Sequence, residues 1–409
     1  MPDPQRIVII GAGLAGASAA AGLRDRGYGG EILLLGAERY RPYELPALSK
    51  GLLLGDAAEP DWVHEPSFYT DHDIKHEQKV TATSIELGAR KVLDDAGNEH
   101  GFDRLLLATG SRPKSLPIPG SDLPGLKTLR TLDDSLDLKA AFIDAERVVI
   151  IGAGWIGTEA AAAARKHGAE VTVVDQVSSP LAPVLGDKVS AVFKDLHTEH
   201  GVQWRLGAKI AEFIGGPEGV RGVRLGDGEE LLADVVVVAV GVAPRVELAH
   251  AAGLEIADDG GIAVDAGLRT AAPDVYAAGD IASHFHPRYG KRVRVEHWAN
   301  AKNQGAHVAA NLIGENEPYL NAPYFFSDQY DLGCEYRGLP DLDTDELVVR
   351  GDLASRVFTA FWLREGEVTA AMNVNMWDDG DALKSLVDSR AKVSAAQLRD
   401  DDLGKLAHG

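Results

Sequence analysis

The chain has 409 residues, of which 45% are apolar and 25% are charged, so it is too long for one ordinary hydrophobic core and two or three globular domains are expected. Its net charge of −21 argues against non-specific binding to nucleic acid or to an anionic membrane, and no apolar run is long enough to span a bilayer. The sole cysteine, Cys334, excludes an intramolecular disulfide; with a first strand that begins at Arg6, it favours a cytoplasmic protein without a signal peptide.

A strand–helix–strand pattern occurs twice. The stretches "RIVIIGAGLAGASAAAGLRDRG" (6–27) and "RVVIIGAGWIGTEAAAAARKHG" (147–168) each predict a buried strand, a Gly-x-Gly-x-x-Gly turn and an alanine-rich helix, with further strands at 31–35 and 170–174. The first glycine of such a turn allows the tight bend, the second lets the backbone approach a pyrophosphate, and the third packs the helix against the strand. Two copies predict two dinucleotide sites built from Gly11, Gly13 and Gly16 and from Gly152, Gly154 and Gly157.

The two copies differ where an adenosine ribose would be bound. Asp175 ends the second strand of the second copy, where a carboxylate accepts hydrogen bonds from ribose hydroxyls and repels a 2′-phosphate. No arginine follows before Arg205, so this site is predicted to prefer NAD over NADP. In the first copy the strand ends in "LLLGAER", which displaces the acid to Glu38, either a ribose ligand or a solvated loop acid.

Three later strands are predicted in "DRLLLATGSRP" (103–113), "ADVVVVAVGVAPR" (233–245) and "LRTAAPDVYAAGDIA" (268–282), the last of which runs to Gly279 and Asp280. With the duplicated motif, these stretches resemble the two-dinucleotide flavoprotein reductases of the glutathione-reductase type, an α/β fold with two Rossmann-like domains. The resemblance implies FAD at the first motif, NAD(P)H at the second, and a hydrogen bond from the flavin ribityl chain to Asp280.

The same resemblance implies a domain organisation. The FAD-binding domain is expected to be split between residues 1–112 and 244–322, with the NAD-binding domain at 113–243 between its halves. Residues 323–409 are expected to form a smaller α+β interface domain, with strands in "ELVVRGDL", "VFTAFWL" and "EVTAAMNV" and a helix in "GDALKSLVDSRAKV".

Four stretches indicate a particular branch: "RPYELPALSKGLL" (41–53), "LRTLDD" (129–134), "HWANAKNQG" (297–305) and "PYFFSDQYDLG" (323–333). They resemble the oxygenase-coupled, NADH-dependent ferredoxin reductases, the family that includes the putidaredoxin, biphenyl-dioxygenase and rubredoxin reductases, and the resemblance covers essentially the whole chain. Two departures are Ala37, where relatives have an acid, and Phe326, where relatives often have a tryptophan beside the flavin.

Lys50 follows the second predicted strand, in about the place where many flavin-dependent disulfide reductases carry a reactive cysteine pair, and no cysteine is present there. A ferredoxin reductase needs no such pair, because FAD stores the two electrons and releases them singly. The resemblance implies that Lys50 polarises the flavin near N5 and that Glu159 faces the nicotinamide carboxamide and pairs with Lys50. The alternatives are a surface lysine at the end of a loop and an ordinary first-turn acid that complements the helix dipole.

The remaining site residues are predicted from the motifs and the resemblance together. Contacts to FAD are expected from Gly11, Gly13, Leu14, Ala15, Gly16, Glu38, Lys50, Val80, Ala108, Thr109, Gly110, Arg130, Gly279, Asp280 and Trp298. Contacts to NAD are expected from Gly152, Gly154, Trp155, Ile156, Gly157, Glu159, Asp175 and Gly241. For Arg130 the alternative is a linker arginine, and for Trp298 a core tryptophan. Cys334 is expected to be a plain buried thiol, and no histidine spacing predicts a metal site.

The predicted function is hydride transfer from NADH to FAD, followed by single-electron transfer to a small [2Fe–2S] ferredoxin that supplies a monooxygenase such as a cytochrome P450, or a dioxygenase. The protein is expected to be a monomer or weak dimer. A rubredoxin reductase and an NADH-responsive flavoprotein of the apoptosis-inducing-factor type remain open. An NADH oxidase or peroxide reductase is disfavoured, because no cysteine lies near residues 40–50.

A basic stretch, "HPRYGKRVRVEHW" (286–298), is a second feature of interest on so acidic a chain. Its alternation predicts Arg292 and Arg294 on one strand face, where they could steer an acidic ferredoxin together with Arg288 and Lys291. A solvated turn is the alternative, and Lys384, Arg390 and Lys392 near the C-terminus offer a second basic surface.

Overall fold

The structure is a computed structural model that describes residues 4–408. The described chain forms two compact units. The first contains the chain up to Glu44, Asp61–Arg112 and Ala243–Pro323, and the second contains Leu45–Pro60, Pro113–Val242 and the chain from Tyr324 onward. The second unit therefore holds the second glycine-rich motif, the C-terminal region and the short segment that carries Lys50.

The first unit is built on a five-stranded parallel sheet. Four of its strands are apolar along most of their length because both faces of the sheet are covered, whereas the edge strand Ile74–Gln78 is mostly polar. The five strands lie in the order Val275–Ala277, Arg104–Leu107, Arg6–Ile10, Glu31–Gly36 and Ile74–Gln78. The strands predicted for the first glycine motif and for "LLLATG" are confirmed, and the carboxyl ends of neighbouring parallel strands meet at one edge of this sheet.

Two smaller sheets and five helical segments complete the first unit. One sheet contains Ala82–Glu86, Lys91–Asp94 and Glu99–Gly101, and the other Ile262–Val264, Ala282–His286 and Lys291–Val293. The helices are Leu14–Asp25, Phe68–Asp71, Glu247–Ala251 and Trp298–Leu312, with a 3₁₀ turn at Gly279–Ile281. Leu14–Asp25 packs closely on Trp298–Leu312, since a Cβ on Gly305 would lie 2.2 Å from the carbonyl oxygen of Ala15.

The second unit repeats the parallel sheet. Its strands lie in the order Gln203–Leu206, Glu170–Asp175, Arg147–Ile151, Val235–Val238 and Leu126–Lys127, beside an antiparallel sheet of Ile210–Gly216, Gly219–Leu225 and Glu230–Leu232. The helices are Pro46–Ser49, Gly51–Leu54, Leu132–Asp144, Trp155–Lys166 and Ala182–Glu199. Leu132–Asp144 begins with a capping box in which Thr131 and Asp134 satisfy each other's backbone N–H groups. Short strands also occur at Ser111–Pro113 and Val242–Pro244.

The C-terminal region of the second unit is an antiparallel sheet with three helices. The strands lie in the order Tyr324–Gln329, Leu332–Gly338, Glu367–Val374, Val357–Arg364 and Glu346–Asp352, followed by helices Gly380–Ser389, Ala395–Asp400 and Leu403–His408. The last three of these strands and the first helix were predicted and are confirmed. That helix ends at Ser389, earlier than predicted, because Arg390 adopts a left-handed conformation with φ 55°.

Helix Ala182–Glu199 joins the nucleotide-binding fold of the second unit to its C-terminal sheet. Leu185 and Phe193 of the helix are fully buried in one core with Cys334 and Trp362 of the sheet. Cys334 is a free, buried thiol, as predicted, and burial raises its pKa. Within residues 4–408, no helix is long and apolar enough to cross a lipid bilayer.

Candidate active site

The two glycine-rich turns have almost the same geometry. Gly11 and Gly152 both have φ 110°, and a Cβ on either would lie 2.1 or 2.3 Å from a carbonyl oxygen of the neighbouring strand. A Cβ on Gly16 or Gly157 would lie 2.0 or 1.9 Å from the carbonyl of the first glycine of the same turn. No larger residue fits these four positions without moving the backbone, so the tight strand-to-helix turn depends on them.

The middle glycines leave room for a ligand. Nothing lies within 4 Å of where a Cβ on Gly13 or Gly154 would be, and each is the N-cap of a helix that has no side-chain cap. The free N–H groups of each helix's first turn and the positive end of its dipole lie beside this space, at Leu14 and Ala15 and, in the second copy, at Trp155 and Ile156. This arrangement fits the pyrophosphate of a dinucleotide in both copies.

The other residues predicted to bind FAD in the first unit follow the carboxyl ends of its parallel strands. Glu38 comes after Glu31–Gly36, is exposed, and accepts a 2.6 Å hydrogen bond from the hydroxyl of Tyr43. The Thr109 hydroxyl, between Ala108 and Gly110, donates to the carbonyl of Arg245 at 2.7 Å. Val80 donates its backbone N–H to the carbonyl of Gly36, so only its own carbonyl and its side chain would be available to contact an adenine.

Asp280 lies at the same edge of this sheet. It is 6% exposed and occupies the 3₁₀ turn after Val275–Ala277. The preceding Gly279 donates its N–H to Oε1 of Gln304 at 2.9 Å, which fixes the turn against helix Trp298–Leu312. The first residue of that helix, Trp298, donates its indole N–H to Glu44 at 3.0 Å, and its backbone N–H belongs to the helix's first turn. Sequence reasoning missed Gln304, although it lies in the quoted "HWANAKNQG".

In the second unit, Asp175 ends its strand beside the second glycine turn. Its carboxylate accepts hydrogen bonds from the N–H groups of Ala153 at 2.6 Å and Val177 at 3.2 Å, which hold it at the edge where a ribose would lie. Gly241 is exposed with φ 92° after strand Val235–Val238. Arg205 is engaged by Glu229 at 2.9–3.0 Å.

Lys50 and Glu159 form a buried ion pair. The Nζ atom of Lys50 lies 2.7 Å from Oε1 of Glu159, and the two side chains are 15% and 5% exposed. Lys50 occupies the junction between helices Pro46–Ser49 and Gly51–Leu54, and Glu159 lies on helix Trp155–Lys166, so the pair joins segments 109 residues apart. The Lys50 ammonium also lies 5.2 Å from the centre of the Phe326 ring.

Two serine hydroxyls complete the surroundings of the Glu159 carboxylate. Ser49 donates to Oε2, and Ser327 donates to Oε1 at 2.6 Å. Three donors on one buried carboxylate offset much of the cost of taking its charge out of water. Sequence reasoning missed both serines. Ser49 directly precedes Lys50, and Ser327 lies in the stretch "PYFFSDQYDLG", but neither stretch indicates which carboxylate its serine would contact.

Arg130 precedes the capping box of helix Leu132–Asp144. Its backbone N–H donates to Asp134 at 3.0 Å, and its side chain is partly buried. Like Lys50, it belongs to the second unit.

Two arginines of the basic stretch donate hydrogen bonds to backbone carbonyls, which the sequence did not indicate. The Arg292 guanidinium donates to the carbonyls of Val264 and Ser283 at 2.7 and 2.8 Å, and Arg294 donates to the carbonyls of Asp259 and Asp280 and pairs with Glu296. These groups therefore brace the backbone of the first unit. Near the C-terminus, Lys384 pairs with Asp388 and Arg390 with Glu367.

Two glycine-rich strand-to-helix turns, each on its own parallel sheet, are the architecture of a two-nucleotide flavoprotein reductase. The chain belongs to the pyridine nucleotide-disulphide oxidoreductase family, whose model matches residues 5–305, and a reductase C-terminal domain matches residues 324–406. Flavoproteins of this family use FAD and NAD(H).

The chain is similar over its full length to reductases of oxygenase systems. It is 39% identical over 404 residues to the ferredoxin–NAD(+) reductase component of the anthranilate 1,2-dioxygenase system of Burkholderia cepacia, covering 98% of each chain. It is 36% identical to putidaredoxin reductase of Pseudomonas putida, covering 97% of this chain and 95% of that one.

Two solved structures are similar throughout. The ferredoxin reductase for the CYP199A2 system from Rhodopseudomonas palustris has a TM-score of 0.94 and 38% identity, covering 98% of this chain and all of that one. The reductase in the covalent putidaredoxin reductase–putidaredoxin complex has a TM-score of 0.94 and 35% identity, covering 100% of this chain and 98% of that one.

Proposed function

We propose that this protein is an NADH-dependent ferredoxin reductase: it oxidises NADH with FAD and passes electrons singly to a small [2Fe–2S] ferredoxin that serves an oxygenase. The whole-chain similarity to reductase components of dioxygenase and cytochrome P450 systems supports this assignment. The observation that carries it is the Lys50–Glu159 pair, which fixes a positive charge beside a buried carboxylate in a chain whose one cysteine is fully buried in the C-terminal sheet.

The pair has a physical role in hydride transfer. When bound, FAD supplies a two-electron acceptor that can release its electrons one at a time. We assign the ammonium of Lys50 to the flavin, where a positive charge stabilises the electron density that arrives with the hydride. We assign Glu159 to the nicotinamide carboxamide. Ser49 and Ser327 keep its carboxylate in one orientation, so the charge is preorganised before NADH binds.

The nucleotide and domain assignments are part of the same proposal. Residues 1–112 and 244–322 bind FAD through the first glycine turn and Asp280, and residues 113–243 bind NADH through the second turn and Asp175. Residues 323–409 form the interface domain. A cytoplasmic location is supported by the single buried cysteine, since disulfides are common in secreted proteins and rare in cytosolic ones.

Anaerobic titration of the FAD-loaded protein with NADH tests the proposal. One equivalent of NADH should bleach the oxidised flavin band, and two equivalents of oxidised ferredoxin, which each accept one electron, should restore it within the time of a catalytic turnover. A charge-transfer complex that persists for many minutes in the presence of ferredoxin would instead indicate an NADH-responsive flavoprotein of the apoptosis-inducing-factor type.

A further inference from the structure

A continuous chain of buried hydrogen bonds leads away from Glu159 into the C-terminal sheet. Ser327 contacts Glu159 at 2.6 Å, Gln329 contacts Ser327 at 3.1 Å, and His197 contacts Gln329 at 2.7 Å. Ser327 and Gln329 are two apart on strand Tyr324–Gln329, so both point to the same face of the sheet. His197 lies on helix Ala182–Glu199, and these three side chains are at most 1% exposed.

The donor and the acceptor of each hydrogen bond in this chain can be assigned by starting from Glu159, at its end. A carboxylate only accepts hydrogen bonds, so the single hydroxyl proton of Ser327 must go to Glu159. The Ser327 oxygen can then only accept from Gln329, so the amide nitrogen of Gln329 faces the serine and its oxygen faces His197. His197 must therefore carry its proton on Nε2.

The surroundings of His197 agree with this assignment. Its other nitrogen, Nδ1, is left as an acceptor, and the hydroxyl of Tyr330 lies 3.5 Å from it, in position for a long hydrogen bond. Burial lowers the pKa of His197 to about 4, against the opposing effect of its bond to Gln329, so the ring is neutral at pH 7. A neutral ring has one donor and one acceptor nitrogen, which is what the two neighbours require.

We propose that Gln329 and His197 are positioning residues for the Lys50–Glu159 pair: they orient the Ser327 hydroxyl so that its only proton is directed at Glu159. Without the Gln329 amide, the hydroxyl could rotate and donate elsewhere, and Glu159 would lose one of its three donors. The inference rests on the proposed function, because it assumes that the orientation of this pair matters for hydride transfer. Neither Gln329 nor His197 needs to touch a nucleotide for this role.

The test compares flavin reduction in three variants of the FAD-loaded protein: Ser327→Ala, Gln329→Met and the double variant. In anaerobic stopped-flow experiments with NADH, each single variant should slow the limiting rate of flavin reduction, by about tenfold or more for Ser327→Ala and by roughly fivefold for Gln329→Met. The apparent Kd for NADH should change less than about threefold, because the adenosine and pyrophosphate contacts are intact. The double variant should be no slower than Ser327→Ala alone, since Gln329 acts through Ser327.

Thr369→Val is the matched control. Thr369 lies on strand Glu367–Val374 of the same sheet, and its hydroxyl is within hydrogen-bond distance of Asp345 and of the Trp362 carbonyl, neither of which belongs to the chain that leads to Glu159. Thr369→Val should lower the unfolding midpoint by about as much as Gln329→Met does, but it should leave the rate of flavin reduction unchanged. Equal rates for Gln329→Met and Thr369→Val, or multiplicative effects of Ser327→Ala and Gln329→Met, would overturn the proposal.

A second measurement does not depend on turnover. Nitrogen NMR of ¹⁵N-histidine-labelled protein at pH 7, with His197→Gln to assign the signal, should show a neutral His197 ring protonated on Nε2. A neutral ring with its proton on Nδ1 and a bare Nε2 would reverse the chain and contradict the proposal, even if a variant fails to fold. If NADH does not reduce the wild-type flavin, the proposed function fails, whereas the NMR result still decides the direction of the chain.

Discussion

Lys50→Met should slow flavin reduction by NADH by about a hundredfold while leaving NADH bound. The substitution keeps an unbranched side chain of nearly the same length and removes a charge that lies 2.7 Å from a carboxylate only 5% exposed. Removing one partner of a buried pair costs roughly 3–5 kcal/mol, but two serine donors remain on Glu159, so we expect a loss of about 2 kcal/mol in the free energy of unfolding. Loss of one preorganised electrostatic group at a reacting centre typically costs a factor of about 10²–10³ in rate.

Lys166→Met is the control for this experiment. Lys166 is on the same helix as Glu159 and pairs with Asp56, six residues after Lys50, but these side chains are 44% and 61% exposed. An exposed pair contributes only about 0–1 kcal/mol, so stability should hardly change and flavin reduction should match wild type. The assay is stopped-flow bleaching of the oxidised flavin, with denaturant unfolding in parallel. A wild-type rate in Lys50→Met, or an equal defect in both variants, would refute the role assigned to Lys50.

Three further outcomes are expected. Asp175→Ala should narrow the preference for NADH over NADPH in kcat/KM by on the order of ten- to a hundredfold, through lost ribose hydrogen bonds; equal use of both nucleotides by wild type would contradict this. Lys291→Glu should lower kcat/KM for ferredoxin at low salt, the loss should shrink as salt is added, and the reduction of ferricyanide should be unaffected. Arg292 is unsuitable for this test because its side chain donates hydrogen bonds to two backbone carbonyls. An unchanged kcat/KM at low salt would show that ferredoxin docks on another surface. His197 has a folded-state pKa of about 4, below its unfolded value of about 6.5, so its contribution to stability is complete above pH 6.5 and is lost as the pH falls toward 4, by about 3 kcal/mol. Urea unfolding of wild type and His197→Gln over this range should show a steeper pH dependence in wild type, and parallel curves would argue against a buried neutral histidine.

Most of the nucleotide-binding fold could be predicted from local patterns. A β-branched strand that enters Gly-x-Gly-x-x-Gly and an alanine-rich helix indicates its own turn, because the third glycine is required by a local contact with the first, such as that between Gly16 and Gly11. The close approach of Gly11 to Ala108 depends on a strand much farther along the chain and could not be predicted locally. The strands Tyr324–Gln329 and Leu332–Gly338 were not predicted. Their mixed residues, "YFFSDQ" and "LGCEYRG", give weak alternation. The two strands form a hairpin with each other, and only Leu332–Gly338 pairs with a strand farther along the chain, Glu367–Val374.

Less of the candidate active site could be predicted from the sequence. The pairing of Lys50 with Glu159 was expected only from a family resemblance, since no local spacing relates residues 109 apart. Ser327 and Gln329 reach Glu159 and His197 only after the C-terminal sheet packs on helix Ala182–Glu199, so their hydrogen bonds depend on tertiary structure. The basic stretch illustrates the opposite error. The sequence showed that basic and apolar residues alternate in this stretch. It could not show that Arg292 and Arg294 donate hydrogen bonds to backbone carbonyls in the folded protein.

Anaerobic electron transfer from NADH to purified iron–sulfur proteins tests the central claim most directly. The FAD-loaded protein should reduce a [2Fe–2S] ferredoxin from an oxygenase system with NADH, at a kcat/KM well above that for rubredoxin, and Lys50→Met should lose this activity in proportion to its slower flavin reduction. If NADH reduces the flavin but no ferredoxin in the panel is reduced within minutes, the protein is not a ferredoxin reductase and the account is wrong.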